Sequence, residues 1–487
     1  MATTRPGSSR SLLPATFSSG ISDENSFLSF VSSSFFQLSL GRRCLLFFSF
    51  LLGFVLTAIM KREHLLWLLT TTVGAKPRLE LCQGREMEFP GLRFGADGLF
   101  NITIFADLHF GEEAWGGDLV DNDAKTIKVM ESVLDNESPN LVVLNGDLLT
   151  GEAVLAHNYT NHIDRIFQPL INRKLPWAST YGNHDRTKLS TPTTILQHEK
   201  EIGGNVQGHR LAWTSSMVGN DDLRFGTSNY YIPIYTFSGD CRPELAMVLW
   251  FFDSRAGAAF QKGEDGQTVP VEDWVAPEVA RWFALEKAAF KQQFKRPIPS
   301  LAFVHIPVQA TRALQEKGVN KATNPGLNQE IIGHQANTCD NQGNCEYNGN
   351  DSPFMKELLS TEGLKAVFSG HDHGIDWCMQ WYNSSKVSNR HGIHLCFNRH
   401  TGYGGYGKDW KRGARQVVIR EDLLEENELE TWIRLEDGTI SSHVDLNSTY
   451  GQDAYPDMVG ETPILREKTS SEENMGTKSD SPSRPVG

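Results

Sequence analysis

Five short apolar runs in this chain each stop on a polar cluster, and that repetition limits the folds open to it. Leu99–Phe105 reads as a buried strand and ends at Asp107-x-His109. Asn140–Asn145 ends at Gly146–Asp147, and Trp177–Thr180 leads to Gly182–Asn183–His184–Asp185. Ser300–Val304 ends at His305, and Leu364–Phe368 at Gly370–His371–Asp372–His373. In an extended segment, residues two apart point the same way, so Asp107 and His109 reach one spot. Helical patterns near Asn122–Asp135 and His157–Arg173 separate the first three strands as β-α-β-α-β. In open α/β sheets, chemistry collects beyond the carboxyl ends of the strands.

The middle of the chain is less regular. Helices are expected near Pro192–Ile202, Pro277–Phe294 and Pro353–Leu359, with strands at Asn229–Phe237 and Ala246–Phe252 that can pair. Asn320–Asp351 is polar and Gly/Asn-rich and reads as a long surface loop. Strand-like runs follow at Trp377–Tyr382, Gly392–Phe397, Gln416–Arg420, Glu430–Leu435 and Thr439–Val444, the last two joined by an Asp437–Gly438 hairpin signal. These suggest a second, antiparallel sheet packed on the first.

The net charge of −13 argues against nucleic acid as a partner, because a phosphate backbone needs clustered Lys and Arg. An acidic protein that handles phosphate needs local positive charge, which bound metal ions supply. Asp107, His109, Asp147, Asn183, His305, His371 and His373 suit two divalent ions such as Mn, Fe or Zn. A carboxylate bridges two ions and a neutral imidazole does not, which leaves Asp107 or Asp147 as the bridge. Asp147, arriving from the middle strand, is the choice. The expected task is metal-assisted hydrolysis of a phosphate ester by an activated water. His184 is the natural group to stabilise the phosphate and protonate the leaving oxygen, with Asp185 beside it. Asn183, His184 and Arg399 are candidate substrate contacts, although Arg399, like Arg186 and Arg255, also fits a structural role. Tyr403 and Tyr406 are placed on a loop beside the pocket, and Trp377 and Trp381 in the core.

The ordered blocks D-x-H, G-D, G-N-H-D, H and G-H-x-H resemble the calcineurin-like metallophosphoesterase superfamily over about residues 99–400. The segments ADLHFGE, HIP and RHTGYGGYG are similar to its purple-acid-phosphatase-like branch of fungi and plants. The resemblance implies an α+β or α/β four-layer sandwich, two mixed β-sheets packed together with helices on the outer faces. It also implies one metal held by Asp107, His109, Asp147 and His373, and a second by Asp147, Asn183, His305 and His371. His184 would match the catalytic histidine. True purple acid phosphatases carry a Tyr ligand three residues after the bridging Asp, where this chain has Thr150, and they lack the histidine present here as His109. An iron–tyrosinate centre is therefore not expected.

Phosphomonoester hydrolysis, on small molecules or phosphoproteins, is the leading reading. A phosphodiesterase or nucleotidase on the same centre and an inactive secreted binding protein are the alternatives. Targeting is read from residues 1–76. Arg42–Arg43 precede the apolar run Cys44–Met60, which reads as a single-pass signal-anchor. Met60–Lys61–Arg62 followed by an apolar core reads equally as a signal peptide with Met60 as the true start. Both place the catalytic domain, 77–449, in the secretory pathway, followed by a disordered tail at 450–487. Sequons occur at Asn101, Asn136, Asn158, Asn350, Asn383 and Asn447; Asn101 sits in the proposed core strand and is expected to be unused, and Asn136 and Asn350 are weakened by the Pro after the sequon. A small disulfide between Cys339 and Cys345 fits an oxidising lumen.

Overall fold

The computed structural model describes residues 91–456, apart from 155–157, 189, 220, 238–242, 261–267, 340–344, 383–391 and 408–409. The signal-anchor and signal-peptide readings and Asn383 lie outside the described residues. Among the described residues, no helix is long and apolar enough to cross a membrane.

Among the described residues, thirteen strands form two mixed sheets: β1 (Leu92–Arg93), β2 (Leu99–Phe105), β3 (Leu141–Asn145), β4 (Trp177–Thr180), β5 (Tyr230–Tyr235), β6 (Leu245–Phe252), β7 (Ser300–Val304), β8 (Leu364–Ser369), β9 (Cys378–Trp381), β10 (Ile393–Phe397), β11 (Gly413–Arg420), β12 (Leu429–Leu435) and β13 (Ile440–Leu446). The first sheet runs β13-β12-β11-β2-β3-β4 and the second β1-β5-β6-β7-β8-β10-β9. β2, β3 and β4 are parallel, as are β6, β7, β8 and β10. Two short antiparallel ladders, Ala258–Ala259 with Val269–Pro270 and Asn337–Cys339 with Cys345–Tyr347, lie outside both sheets.

Side-chain alternation builds the layers. Phe100, Ile102 and Ile104 of β2 meet Met247, Leu249, Phe251, Leu301 and Phe303 between the sheets. Val142 and Leu144 of β3 face outward onto α1 (Asn122–Asn136), α2 (Tyr159–Arg173) and α3 (Pro192–Gly203). Val248, Trp250, Ala302 and Val304 face α4 (Pro277–Phe294), α5 (Gln309–Lys317) and α6 (Ser352–Leu359) on the other side. The result is the four-layer sandwich, helices outside and two sheets inside.

The carboxyl-terminal strands differ from the sequence reading. They do not make a second sheet of their own: β11 pairs antiparallel with β2 and extends the first sheet, while β10 lies parallel to β8 in the second. β2 has β3 on one edge only, and β11 satisfies the backbone groups of the other. α5 has no counterpart in the sequence reading, because only Ala310, Thr311 and Leu314 are buried on it. The packed chain also runs past 449. Tyr450 is buried with its hydroxyl donating to Cys378 O (2.7 Å), and the Tyr455 amide donates to Ala322 O (2.8 Å). Cys339 pairs with Cys345, and Cys378 pairs with Cys396 across β9 and β10.

Candidate metal centre

All the strand-end clusters converge on one edge of the sandwich. Leu301 and Phe303 point between the sheets, so His305, next in that alternation, does too. Asn145 ends β3 and is buried; it accepts from Thr180 Oγ1 (2.7 Å) and its carbonyl faces His305 Nδ1 at 2.8 Å. Past the strands the backbone leaves ordinary geometry. Asp107, His109, Asp147 and His371 have φ of 56°, 51°, 50° and 75°. Such left-handed residues cost about 1–3 kcal/mol each and gather at functional sites. The loops are locked together: the amides of Leu108 and His109 both donate to Asp147 O, at 2.8 and 3.0 Å. A Cβ at Gly182 would lie 2.2 Å from Asp147 Oδ1 and 2.7 Å from His305 Cδ2, so only glycine lets these elements close.

The donor atoms fall into two groups, Asp107–His109–His373 and Asp147–His305–His371. Asp147 Oδ2 lies 3.0 Å from His305 Nε2 in one group and 3.8 Å from His109 Nε2 in the other. One carboxylate oxygen thus reaches both. Asn183 Oδ1 joins the second group, 3.0 Å from His371 Nδ1. All seven expected donors are brought together.

The fit of this set to divalent ions can be tested on its own atoms. His373 Nδ1 faces the Tyr406 carbonyl at 3.1 Å, and a carbonyl only accepts, so the proton sits on Nδ1. His109 Nδ1 faces Thr150 Oγ1 at 2.9 Å, and that hydroxyl donates onward to Glu112 Oε1 at 3.0 Å, so His109 also donates from Nδ1. The two Nε2 lone pairs then face each other at 3.2 Å. Burial pushes His109 and His371 down to about 3 and His373 well below the usual imidazole range, so protonation does not relieve the contact. Asp107 Oδ2 and His305 Nε2 are buried without a hydrogen-bond partner, although His305 Nε2 lies 3.0 Å from Asp147 Oδ2. Burial raises Asp107 to about 7, with Asp147 adding to it and His305 opposing. Burial acts in the same sense on Asp147, yet His305 and His184 hold it well below the carboxylate range. Facing lone pairs, an orphaned oxygen and an orphaned nitrogen, and crowded carboxylates fit two cations.

His184 is at the rim. Its amide donates to Asp147 Oδ1 (2.8 Å), its Nδ1 meets the Glu152 carboxylate (3.0 Å), and its side chain is 36% exposed. Burial lowers its pKa, but Asp147 and Glu152 outweigh this and raise it to about 9. Tyr406 stacks on His373 (3.9 Å, 10°), which puts its loop against the centre.

Two expected roles are corrected. Asp185 is fully buried and accepts from the amides of Gly182 (2.8 Å) and Leu149 (3.0 Å); it holds the loop and touches no reacting position. Arg399 is buried and paired with Asp376 at 2.7 Å, so it does not face substrate. Arg186 and Arg255 are likewise paired, with Asp222 and Glu272. The stretch expected as a surface loop instead reaches the centre, where the Gly333 amide donates to Asp372 Oδ1 (2.7 Å) beside His371. The sequence reading missed Glu112, Asn145 and Glu152. Glu112 and Glu152 close the segments ADLHFGE and GDLLTGE, a positional signal for acids near the ligands. A third group, Glu113–Asp123–His162, is occupied by Arg165, whose Nη1 lies 2.9 Å from Asp123 Oδ2.

The calcineurin-like phosphoesterase family model matches residues 100–374, which takes in the strands that end at the centre, β2 from its second residue, β3, β4, β7 and β8, and all seven donors. The chain belongs to the calcineurin-like phosphoesterases. Among relatives of this phosphoesterase, "Probable inactive purple acid phosphatase 14" of Arabidopsis thaliana is 28% identical over 374 residues, 71% of this chain and 83% of that one. "Probable inactive purple acid phosphatase 29" of the same plant is 26% identical over 378 residues, 72% of this chain and 86% of that one. "Phosphatase DCR2" of Saccharomyces cerevisiae is 28% identical over 355 residues, covering 70% of this chain and 54% of its own length. A solved dimetal phosphatase from Danio rerio aligns over 72% of this chain and 99% of its own, at 12% identity and a TM-score of 0.41.

Proposed function

We propose that this phosphoesterase is a dinuclear metal-dependent phosphatase that hydrolyses phosphate monoesters. The observation that supports this most directly is Asp147 Oδ2, placed between the two donor groups. Two of the relatives are named probable inactive, but in this chain no donor of either group is missing. Asp107, His109 and His373 would hold one ion, Asn183, His305 and His371 the other, and Asp147 both. Such an ion pair, when bound, supplies Lewis acidity and positive charge for in-line displacement at phosphorus. The chain supplies the rest. Asn145 and Tyr406 fix the orientation of His305 and His373 through their carbonyls. His184, exposed at the rim and held by Glu152, is positioned to bind a phosphoryl oxygen and to give its proton to the leaving oxygen. Two disulfides fit an oxidising compartment and support the secretory route.

The test is hydrolysis of an aryl phosphate and an aryl phosphodiester with Mn, Fe(II) or Zn supplied, comparing wild type with Asp147→Asn and His184→Ala. Monoester turnover lost in Asp147→Asn supports the proposal. Turnover of the diester alone moves the assignment to a phosphodiesterase. No turnover by metal-loaded wild type on either substrate moves it to a binding protein.

A further inference from the structure

Glu112 is a buried carboxylate that neither donor group includes. Its Oε1 accepts two hydrogen bonds, from Thr150 Oγ1 at 3.0 Å and from the Gly405 amide at 2.9 Å. Oε1 thus acts purely as an acceptor toward both groups. Thr150 has one proton and spends it on Glu112, so its oxygen is left to accept from His109 Nδ1 at 2.9 Å. Gly405 precedes Tyr406, whose carbonyl takes the Nδ1 proton of His373 and whose ring stacks on that imidazole. One carboxylate therefore governs both imidazoles, His109 through a hydroxyl and His373 through a loop.

The packing leaves no slack in this arrangement. Gly405 has φ of 72°, and a Cβ there would lie 2.5 Å from His373 Cε1 and 3.1 Å from His109 Cδ2. At Gly404 a Cβ would sit 2.3 Å from His109 O and 3.1 Å from Glu112 Oε2. The glycine-rich turn thus lies directly against the pair of rings whose Nε2 atoms stand 3.2 Å apart.

We infer that Glu112 and Thr150 form a positioning relay that sets the metal affinity of the Asp107–His109–His373 position, by locking both histidines with their Nε2 lone pairs aimed at one point. This rests on the reading of the cluster as a metal centre. Groups that orient ligand histidines typically contribute 10–100-fold to metal affinity. Thr150 stands where the resemblance to purple acid phosphatases puts a tyrosine ligand. Here that position acts on the metal through His109.

The test is equilibrium Mn2+ binding to the full chain, read as free Mn2+ by electron paramagnetic resonance, for wild type, Thr150→Val, Thr150→Ser and Glu112→Gln. Circular dichroism of the metal-free forms checks that each variant is folded. Thr150→Val keeps the side-chain shape and removes the hydroxyl; it is expected to weaken one of two Mn2+ equivalents about 10–100-fold and leave the other in place. Glu112→Gln is expected to weaken the same equivalent, and Thr150→Ser to restore it. Two unchanged equivalents in folded Thr150→Val overturn the relay while leaving the metal centre standing. Equal weakening of both overturns its assignment to one position. Wild type that binds no Mn2+ overturns the metal-centre reading itself, and the relay with it.

Discussion

Arg399 and Asp376 form an ion pair 2.7 Å long with both side chains almost wholly out of solvent. The guanidinium also donates to Lys411 O at 2.8 Å. Removing one partner of such a pair leaves a buried charge uncompensated, at a cost of about 3–5 kcal/mol. Arg399→Met should therefore lower the free energy of unfolding by that amount in a urea titration. On the proposed function, the protein that remains folded should show the wild-type KM for an aryl phosphate. A raised KM with unchanged stability would return Arg399 to the substrate pocket.

His184 contributes its backbone amide to Asp147, and its ring is hydrogen-bonded to Glu152 and packs edge-on against the His109 ring (5.2 Å between centroids) without joining either donor group. Replacing it with Ala keeps that amide. Turnover should fall by about 10²–10⁴-fold, the usual worth of a positioned proton donor. Metal content, read by elemental analysis after dialysis, should stay at the wild-type value. Loss of metal with activity would make His184 part of the donor set instead.

At Gly182 a single methyl group collides with Asp147 Oδ1 and the His305 ring. The clash is with the two groups that define the second position, in a loop outside the apolar core. The added methyl would also lie 2.6 Å from the Asp147 backbone nitrogen, so Gly182→Ala should lose bound metal and also unfold at a lower temperature than the metal-free wild type. A folded Gly182→Ala that holds wild-type metal would show the loop to be more yielding than its packing implies.

His394 is buried on β10 beside the Tyr450 ring, and burial lowers its pKa from 6.5 to about 4. The unfolded chain takes up this proton near 6.5 and the folded chain only near 4. Stability is thus complete above pH 6.5 and is lost as pH falls toward 4. The loss from this one group is about 3 kcal/mol, from about 2.5 pH units at 1.36 kcal/mol each. His394→Gln should flatten that part of the urea-stability profile relative to wild type. Parallel profiles would mean that His394 titrates in the folded protein near its ordinary value.

Much of the centre was legible because it sits where strands end. Asp107, Asp147, His305, His371 and His373 each follow a run whose apolar pattern marks a buried strand, and parallel strands must end at one edge. Asp185 and Arg399 were misjudged for one reason. Their types suit catalysis or phosphate binding, but what they do is decided by partners far along or across the chain: Leu149 for Asp185, Asp376 and Lys411 for Arg399. Glu112 escaped notice for the opposite reason. It lies three residues from His109, in a short 3₁₀ turn where exposed acids are ordinary, and only the fold buries it against Thr150 and Gly405. The pairing of β11 with β2 joins segments some three hundred residues apart, and hydrophobic alternation says which face is buried but not which strand is next.

The central claim is that two metal ions share Asp147, and metal stoichiometry tests it most directly. Full-length protein loaded with Mn or Zn and passed through a desalting column should carry two ions per chain by elemental analysis. Asp147→Asn, which keeps the side-chain volume and removes the charge between the groups, should retain fewer than one. Two ions retained by Asp147→Asn, or none by wild type, would contradict the account.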